Sequence, residues 1–277
     1  MRPNRSFKRI GIGFILLWSL APIYWVINSS FQTDSQVTDT PSHLLPPTPT
    51  LQNYRTLLIG HGELPDIVKR ATLNIFIECI SATFITVLLA SLAAYAFARM
   101  KFWGHKFFLF MVIMTMAFPT YTTLIPMYKI MAWAHLVNTY VGIVLCYVSG
   151  FLPLATWILY SYMQSLPSAI EEAAAVDGAS RMQIFRSIVF PLTIPAIAST
   201  SVITFLFAWA QFIFPLVLAS DGSTQPLTVV VAAIQGRHVV PYSLLSAAGV
   251  LALSVPAILA LLTNRFIVSG LISGSVK

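Results

Sequence analysis

The sequence predicts an all-α, polytopic membrane protein of six transmembrane helices. Three observations carry that expectation. Of 277 residues, 57% are hydrophobic and only 9% charged, where a soluble domain carries roughly a quarter charged residues. So much apolar surface cannot be clothed in charge, and its natural solvent is lipid. The apolar residues also gather into six runs, at 10–31, 72–98, 107–128, 138–163, 193–219 and 243–267, each near the roughly 20 residues that cross the hydrocarbon. Finally, basic residues flank these runs instead of forming a stripe. The net charge of +7 therefore reads as a topogenic signal, and no nucleic-acid partner is expected.

The first run follows Arg2, Arg5, Lys8 and Arg9. It is long for a signal-peptide core and lacks a small-x-small cleavage site, so an uncleaved span is expected. With the N-terminus cytoplasmic, the inside segments also hold Arg99, Lys101, Lys106, Arg181, Arg186, Arg265 and Lys277. The outside segments then hold only Arg55, Lys69, Arg70, Lys129 and Arg237. That bias favours both termini inside.

Two outside segments have content of their own. Residues 32–71 are polar and carry Pro41, Pro46, Pro47 and Pro49, which argues for an extended stretch. Within 220–242, the turn signal Asp221-Gly222 precedes an apolar stretch, 227–234, too short to cross. It reads as re-entrant, or as lying at the membrane face against a partner. One membrane domain is expected over 1–277. Pro22, Pro119, Pro126, Pro153, Pro215 and Pro256 fall inside spans and are expected to kink them. Cys79 and Cys146 lie in apolar runs without metal-type spacing and read as small apolar fillers. The five histidines are scattered singly, so no metal site is expected.

The most informative stretch is 165–195, between the fourth and fifth spans. Ser168 with Glu171 fits a capping box, followed by the helix-favouring run Glu172, Ala173, Ala174, Ala175. Asp177-Gly178 breaks that helix, since glycine readily takes the left-handed conformation that ends helices. Ser180 with Gln183 fits a second capping box, and Met182, Phe185, Ile188 and Val189 recur at helical spacing before Pro191. Two short helices joined at a sharp glycine turn are expected. Residue chemistry alone leaves open an ordinary amphipathic connector on the membrane surface.

Glu172-Ala173-Ala174, then Gly178, then Ile188-x-Phe190-Pro191 resembles the EAA loop of bacterial ABC importer permeases, with phenylalanine where the family more often has leucine. The resemblance covers nearly the whole chain. Residues 93–99, AAYAFAR, are similar to the end of the second span in maltose-type sugar permeases. Residues 209–216, WAQFIFPL, are similar to an element of their fifth span, although Ala210-Gln211 stands where Asn-Glu or Asn-Asp is more usual. The tail 265–277 resembles that of the shorter, second maltose-type permease.

The resemblance implies a type I ABC importer permease fold in a bacterial inner membrane, with the 165–191 loop cytoplasmic. It implies a carbohydrate as substrate, and four kinds of partner beside the bilayer: a second permease, two ATPase subunits, an extracytoplasmic binding protein and the sugar. Glu171, Glu172, Ala173, Ala174, Asp177, Gly178, Ile188 and Pro191 are its implied ATPase-coupling residues. The chain has no GxxxxGK[ST] phosphate loop, so ATP and magnesium are expected on the ATPase partner and no cofactor here. The tail 270–277 is expected to reach the ATPase pair.

Some polar residues lie inside spans. Glu78 is the lone carboxylate there, about two turns from the outer end of the expected span and so near water; it reads as a pathway or gate residue, or as a structural partner. Thr193, Thr200, Thr204 and Gln211 share one helical stripe, which suits a hydrophilic lining or interhelical hydrogen bonding. Tyr121, Thr122 and Thr123 suit a sugar-facing lining or an interfacial aromatic belt. Three other functions are alternatives: a permease for a non-sugar solute, a secondary transporter and a membrane enzyme. The tail argues against the first. Neither inverted repeats nor clustered catalytic groups support the other two.

Overall fold

In a computed structural model of the chain, residues 5–234 and 241–273 are described, with side chains over 9–119, 121–234 and 241–263. Arg2, Arg237, His238, Lys277 and the end of the tail lie outside the described residues. No strand occurs among those described. The elements are α1 (Arg5–Ser30), α2 (Asp34–Thr38), α3 (Gln52–Leu58), α4 (Glu63–Arg99), α5 (His105–Met114), α6 (Thr120–Trp133), α7 (Tyr140–Ser165), α8 (Ala169–Val176), α9 (Arg181–Ile184), α10 (Phe190–Trp209), α11 (Ile213–Leu218), α12 (Leu227–Ala233) and α13 (Tyr242–Ser273).

Among the described residues, five helical stretches are long and apolar enough to cross a membrane: Arg9–Ser30, Glu63–Arg99, Tyr140–Ser165, Arg181–Trp209 and Tyr242–Thr263. A sixth exists if the pair His105–Ala117 and Tyr121–Trp133, bent by 106°, counts as one span. The span expected over 107–128, with kinks at Pro119 and Pro126, is thus sharply broken just before Pro119. Phe118 is extended at φ −75°, ψ 122°, because a proline at the next position disfavours the helical region and removes a donor. The expected span 193–219 is corrected. It starts at Arg181, ends at Trp209, and resumes as the separate six-residue α11.

The chain forms two compact units. The first comprises Met1–Thr72 with Leu227–Val255. Its α1 buries none of its apolar stretch against the rest of the chain, leaving Leu17 and Trp18 more than two-thirds exposed, as lipid-facing surface allows. The end of α1 is tied down. Asn53 Nδ2 donates to the carbonyls of Ser30 and Gln32, each at 2.9 Å, which satisfies acceptors left free at and just past the helix end. Asp34 Oδ1 accepts the Ser243 amide at 2.8 Å, an anion placed favourably at the start of α13. The expectation of an extended stretch over 32–71 is corrected, since that segment carries α2, α3 and the first turns of α4. It is without helix only over 32–33, 39–51 and 59–62, and Asn28 Nδ2 donates to the His43 carbonyl at 2.9 Å. The α4 helix begins at Glu63, nine residues before the expected span, because charged turns can continue a helix into water. Asp66 and Lys69 make an (i, i+3) pair there at 4.0 Å. α12 has seven residues, too few to cross.

The second unit comprises Leu73–Pro226 with Pro256–Lys277. Its core follows a stripe of α4 at four-residue spacing: Asn74, Glu78, Ala82, Thr86, Ala90 and Ala94, all buried. Small residues at that spacing let a neighbouring backbone approach closely. Ala90, Ala94 and Tyr95 pack with Ala155, Leu159 and Met163 of α7 and with Ile184, Phe185, Val189 and Ala196. Asn74 also holds a distant loop. Its Nδ2 donates to the carbonyls of Ser223 and Gln225, at 3.0 and 2.9 Å, and its Oδ1 accepts Tyr140 Oη at 2.6 Å. At the start of α7, Thr139 Oγ1 accepts the Gly142 amide at 3.1 Å. A Cβ at Gly142 would lie 2.2 Å from the Leu136 carbonyl oxygen, so only glycine fits that approach.

Candidate functional site: the short helical pair between two spans

The stretch 165–191 forms the expected pair, α8 and α9, joined at Gly178. Gly178 sits at φ +85° with open space around a notional Cβ, so backbone conformation and not crowding selects glycine there. Ser180 and Gln183 make both halves of the expected capping box, with Gln183 Oε1 accepting the Ser180 amide at 2.7 Å. The other expected box is absent. Ser168 is helical, at φ −69° and ψ −22°, and its side chain caps nothing.

Glu171 has a different partner. Arg99 Nε donates to Glu171 Oε1 at 2.6 Å, with both side chains largely buried. The same guanidinium donates through a second nitrogen to the Leu166 carbonyl at 3.0 Å, at the cap of α7. One turn earlier on α4, Tyr95 Oη donates to the Arg181 carbonyl at 3.3 Å, and its ring lies 4.9 Å from that of Phe185. Both arms of the helical pair are thus held to the last turns of α4. After α9, Phe185–Val189 forms a π-helical turn in which the Phe190 amide bonds to the Phe185 carbonyl. Pro191 supplies no amide to continue the ladder below it, which favours such an irregularity.

The outer face of the pair is open. Glu172, Ala173, Asp177, Gly178 and Pro191 are exposed, Ala174 and Ile188 half-buried, and Val176 is 88% exposed. Val176 is thus an exposed apolar residue beside two exposed acidic ones, Glu172 one turn before it and Asp177 next to it.

The expected pathway residues scatter. Glu78 is fully buried and lies about four turns from the first residue of α4, which corrects its expected place near water. Tyr147 Oη donates to its Oε2 at 3.4 Å, while Oε1 has no hydrogen-bond partner among the described residues. Thr193, Thr200 and Thr204 are buried. The hydroxyls of Thr193 and Thr200 donate to carbonyls of their own helix, at 2.6 and 2.8 Å. Gln211 is half-buried in the break between α10 and α11. Tyr121 is 73% exposed and Thr122 exposed, its hydroxyl on the Pro119 carbonyl at 2.7 Å. Thr123 lines a cavity of about 470 Å³ with Thr115, Phe118, Ser149, Phe151 and Phe207 among others. The structure does not bring these candidates into one site. Arg99 and Tyr95 are the residues that sequence reasoning missed as site residues. Their (i, i+4) spacing on α4 was the available signal.

Apolar helices long enough to cross a membrane, with a small exposed helical pair between two of them, define the class of a multi-pass membrane protein. Residues 86–273 match the family described as "Binding-protein-dependent transport system inner membrane component". The chain is 35% identical over 276 residues to the trehalose/maltose transport system permease protein MalG of Thermococcus litoralis, covering 99% of this chain and 97% of that one. It is 31% identical to the sulfoquinovosyl glycerol transport system permease protein SmoH of Agrobacterium fabrum, over 99% and 94% of the two chains. A crystal structure of a bacterial ABC transporter that imports the acidic polysaccharide alginate superposes with a TM-score of 0.79 at 21% identity, over 96% of this chain and 97% of the other. The chain belongs to the binding-protein-dependent transport system inner membrane component family. Its fold is the type I ABC importer permease fold, it is a multi-pass inner-membrane protein, and it is a transport subunit, not an enzyme.

Proposed function

We propose that this chain is one of two permease subunits of a binding-protein-dependent ABC importer for a carbohydrate, and that α8, Gly178 and α9 are where ATPase subunits engage it. The carrying observation is the division of labour between adjacent glutamates: Glu171 is engaged by Arg99, while Glu172 is exposed one turn before the exposed Val176. The partners are a second permease, two ATPase subunits that hold ATP and magnesium, and an extracytoplasmic binding protein that delivers the sugar. The sugar class is supported by relatives whose names specify trehalose, maltose or a sulfoquinovosyl glycerol. Both termini and the 165–190 loop face the cytoplasm, as the basic-residue bias supports.

The test is retention of the ATPase. Glu172→Lys reverses a charge at the docking face, and Gly178→Val strains a positive-φ backbone by about 1–2 kcal/mol. Both variants are expected at wild-type levels in the membrane, with less ATPase co-purifying through a tag on this chain. Full retention by both would remove the coupling role of the loop.

A further inference from the structure

The residues that hold the helical pair from within lie on α4, and the two it uses, Tyr95 and Arg99, are four residues apart on one face. Arg99 grips two elements at once, the end of α7 through the Leu166 carbonyl and α8 through Glu171. Tyr95 grips the start of α9. The Arg99 to Glu171 contact is short and charge-assisted, a geometry that fixes direction as well as distance. Its burial matters because removing two charges from water gives little net stability, so such pairs are better suited to setting register than to holding a fold together. Above the contact, α4 is continuous helix back past Leu88, all of it within the same compact unit as the helical pair. Glu172, the next residue and so about 100° further around α8, is exposed.

We propose that Arg99 is a positioning residue, a strut that binds α8 to α4 so that displacement of the helical pair by the ATPase is delivered to α4 as one rigid movement. This rests on the reading that the ATPase engages α8. Tyr95 gives the same strut its second foot, on α9.

The test uses the intact complex, purified through a tag on this chain, with Cys79 and Cys146 replaced by alanine. Spin labels go on Ser168, at the start of α8, and on Leu88, an exposed residue three turns up α4. Their distance is measured without nucleotide and after trapping with ATP, magnesium and vanadate. The otherwise unsubstituted complex is expected to give one narrow distance, the same in both states. Arg99→Gln is expected to keep its ATPase but to gain a second distance in the trapped state alone, and Arg99→Glu with Glu171→Arg to restore the single distance. Tyr95→Phe, a milder lesion, is expected to broaden the trapped state less. A merely structural role would broaden both states alike. The strut is overturned if trapped Arg99→Gln matches the unsubstituted complex with the ATPase bound, if both states broaden alike, or if its defect survives the double reversal. Failure of the docking reading looks different: Glu172→Lys would then retain the ATPase fully, whatever the labels report.

Discussion

Two carboxylates buried in the same unit are treated in opposite ways. Glu171, in α8, meets a guanidinium at 2.6 Å. Glu78, in mid-α4, meets only a tyrosine hydroxyl at 3.4 Å, and its second oxygen has no hydrogen-bond partner among the described residues. Position explains the difference. Arg99 is the last residue of α4, where a long cationic side chain can lie along the protein and still reach polar surroundings. At Glu78 the neighbours on the α4 stripe are Asn74 and Ala82, and a cation placed beside it in mid-span would itself cost several kcal/mol. The contrast teaches that this chain places a fixed ion pair where an element must be aligned, and leaves a carboxyl lightly held inside the helical core.

The largest effect should come from unpairing Glu171. Arg99→Ala leaves a mostly buried carboxylate without its counter-charge, which costs about 3–5 kcal/mol. Removing both partners in Arg99→Ala with Glu171→Ala should cost distinctly less, since no lone charge remains. Thermal unfolding in detergent reads the order. If the double variant is the less stable of the two, the pair is a stabilising bridge and not an alignment device.

Glu78 should respond more mildly. Glu78→Gln keeps the volume and an acceptor for Tyr147, and Tyr147→Phe removes one long hydrogen bond, so each should shift stability by about 1 kcal/mol or less. The sharper readout is ATP hydrolysis by the assembled complex. Unchanged unfolding with altered hydrolysis in Glu78→Gln would assign Glu78 to a gate. Unchanged values for both would leave it a packing partner of α7.

Much of this was legible from residue patterns, and the misreadings share a cause. Runs of apolar residues gave the spans, and Asp177-Gly178 with Ser180 and Gln183 gave the helical pair, because those signals are local. Ser168 with Glu171 has the same local signature as Ser180 with Gln183, yet only the second pair caps a helix. Glu171 is claimed instead by Arg99, 72 residues away, a tertiary competitor that spacing cannot display. Arg99 itself carried a topogenic meaning in sequence, and nothing local announced a second one. The break at Phe118 also exceeds what proline content indicates: Pro22, Pro126, Pro153 and Pro256 all remain inside helices. Glu78 was misplaced because hydropathy locates the apolar part of a helix and not its ends, which for α4 extend through charged turns to Glu63.

The smallest effect belongs to a third carboxylate, Asp221, which completes the series from paired to lightly held to exposed. Its Oδ1 accepts the Ser223 amide at 2.9 Å and the Ser223 hydroxyl at 2.7 Å, closing the turn at Gly222, where φ is +80°. The Ser223 hydroxyl and then its amide lower the Asp221 pKa below the ordinary carboxylate value. A lowered folded-state pKa adds stability that is fully present above the unfolded value of about 3.9 and is lost as pH falls through the folded one. The turn should therefore be indifferent to pH between neutrality and about pH 5, and should loosen only in stronger acid. Because Asp221 is exposed, water screens and replaces these bonds, so the change should stay local to the turn. Amide exchange at Ser223 is the measurement, faster in Asp221→Ala than in the unsubstituted chain at neutral pH, with thermal unfolding unchanged. A fall in global unfolding temperature in Asp221→Ala would show that this turn matters beyond itself, through the Asn138 side chain that accepts the Asp221 amide at 3.3 Å.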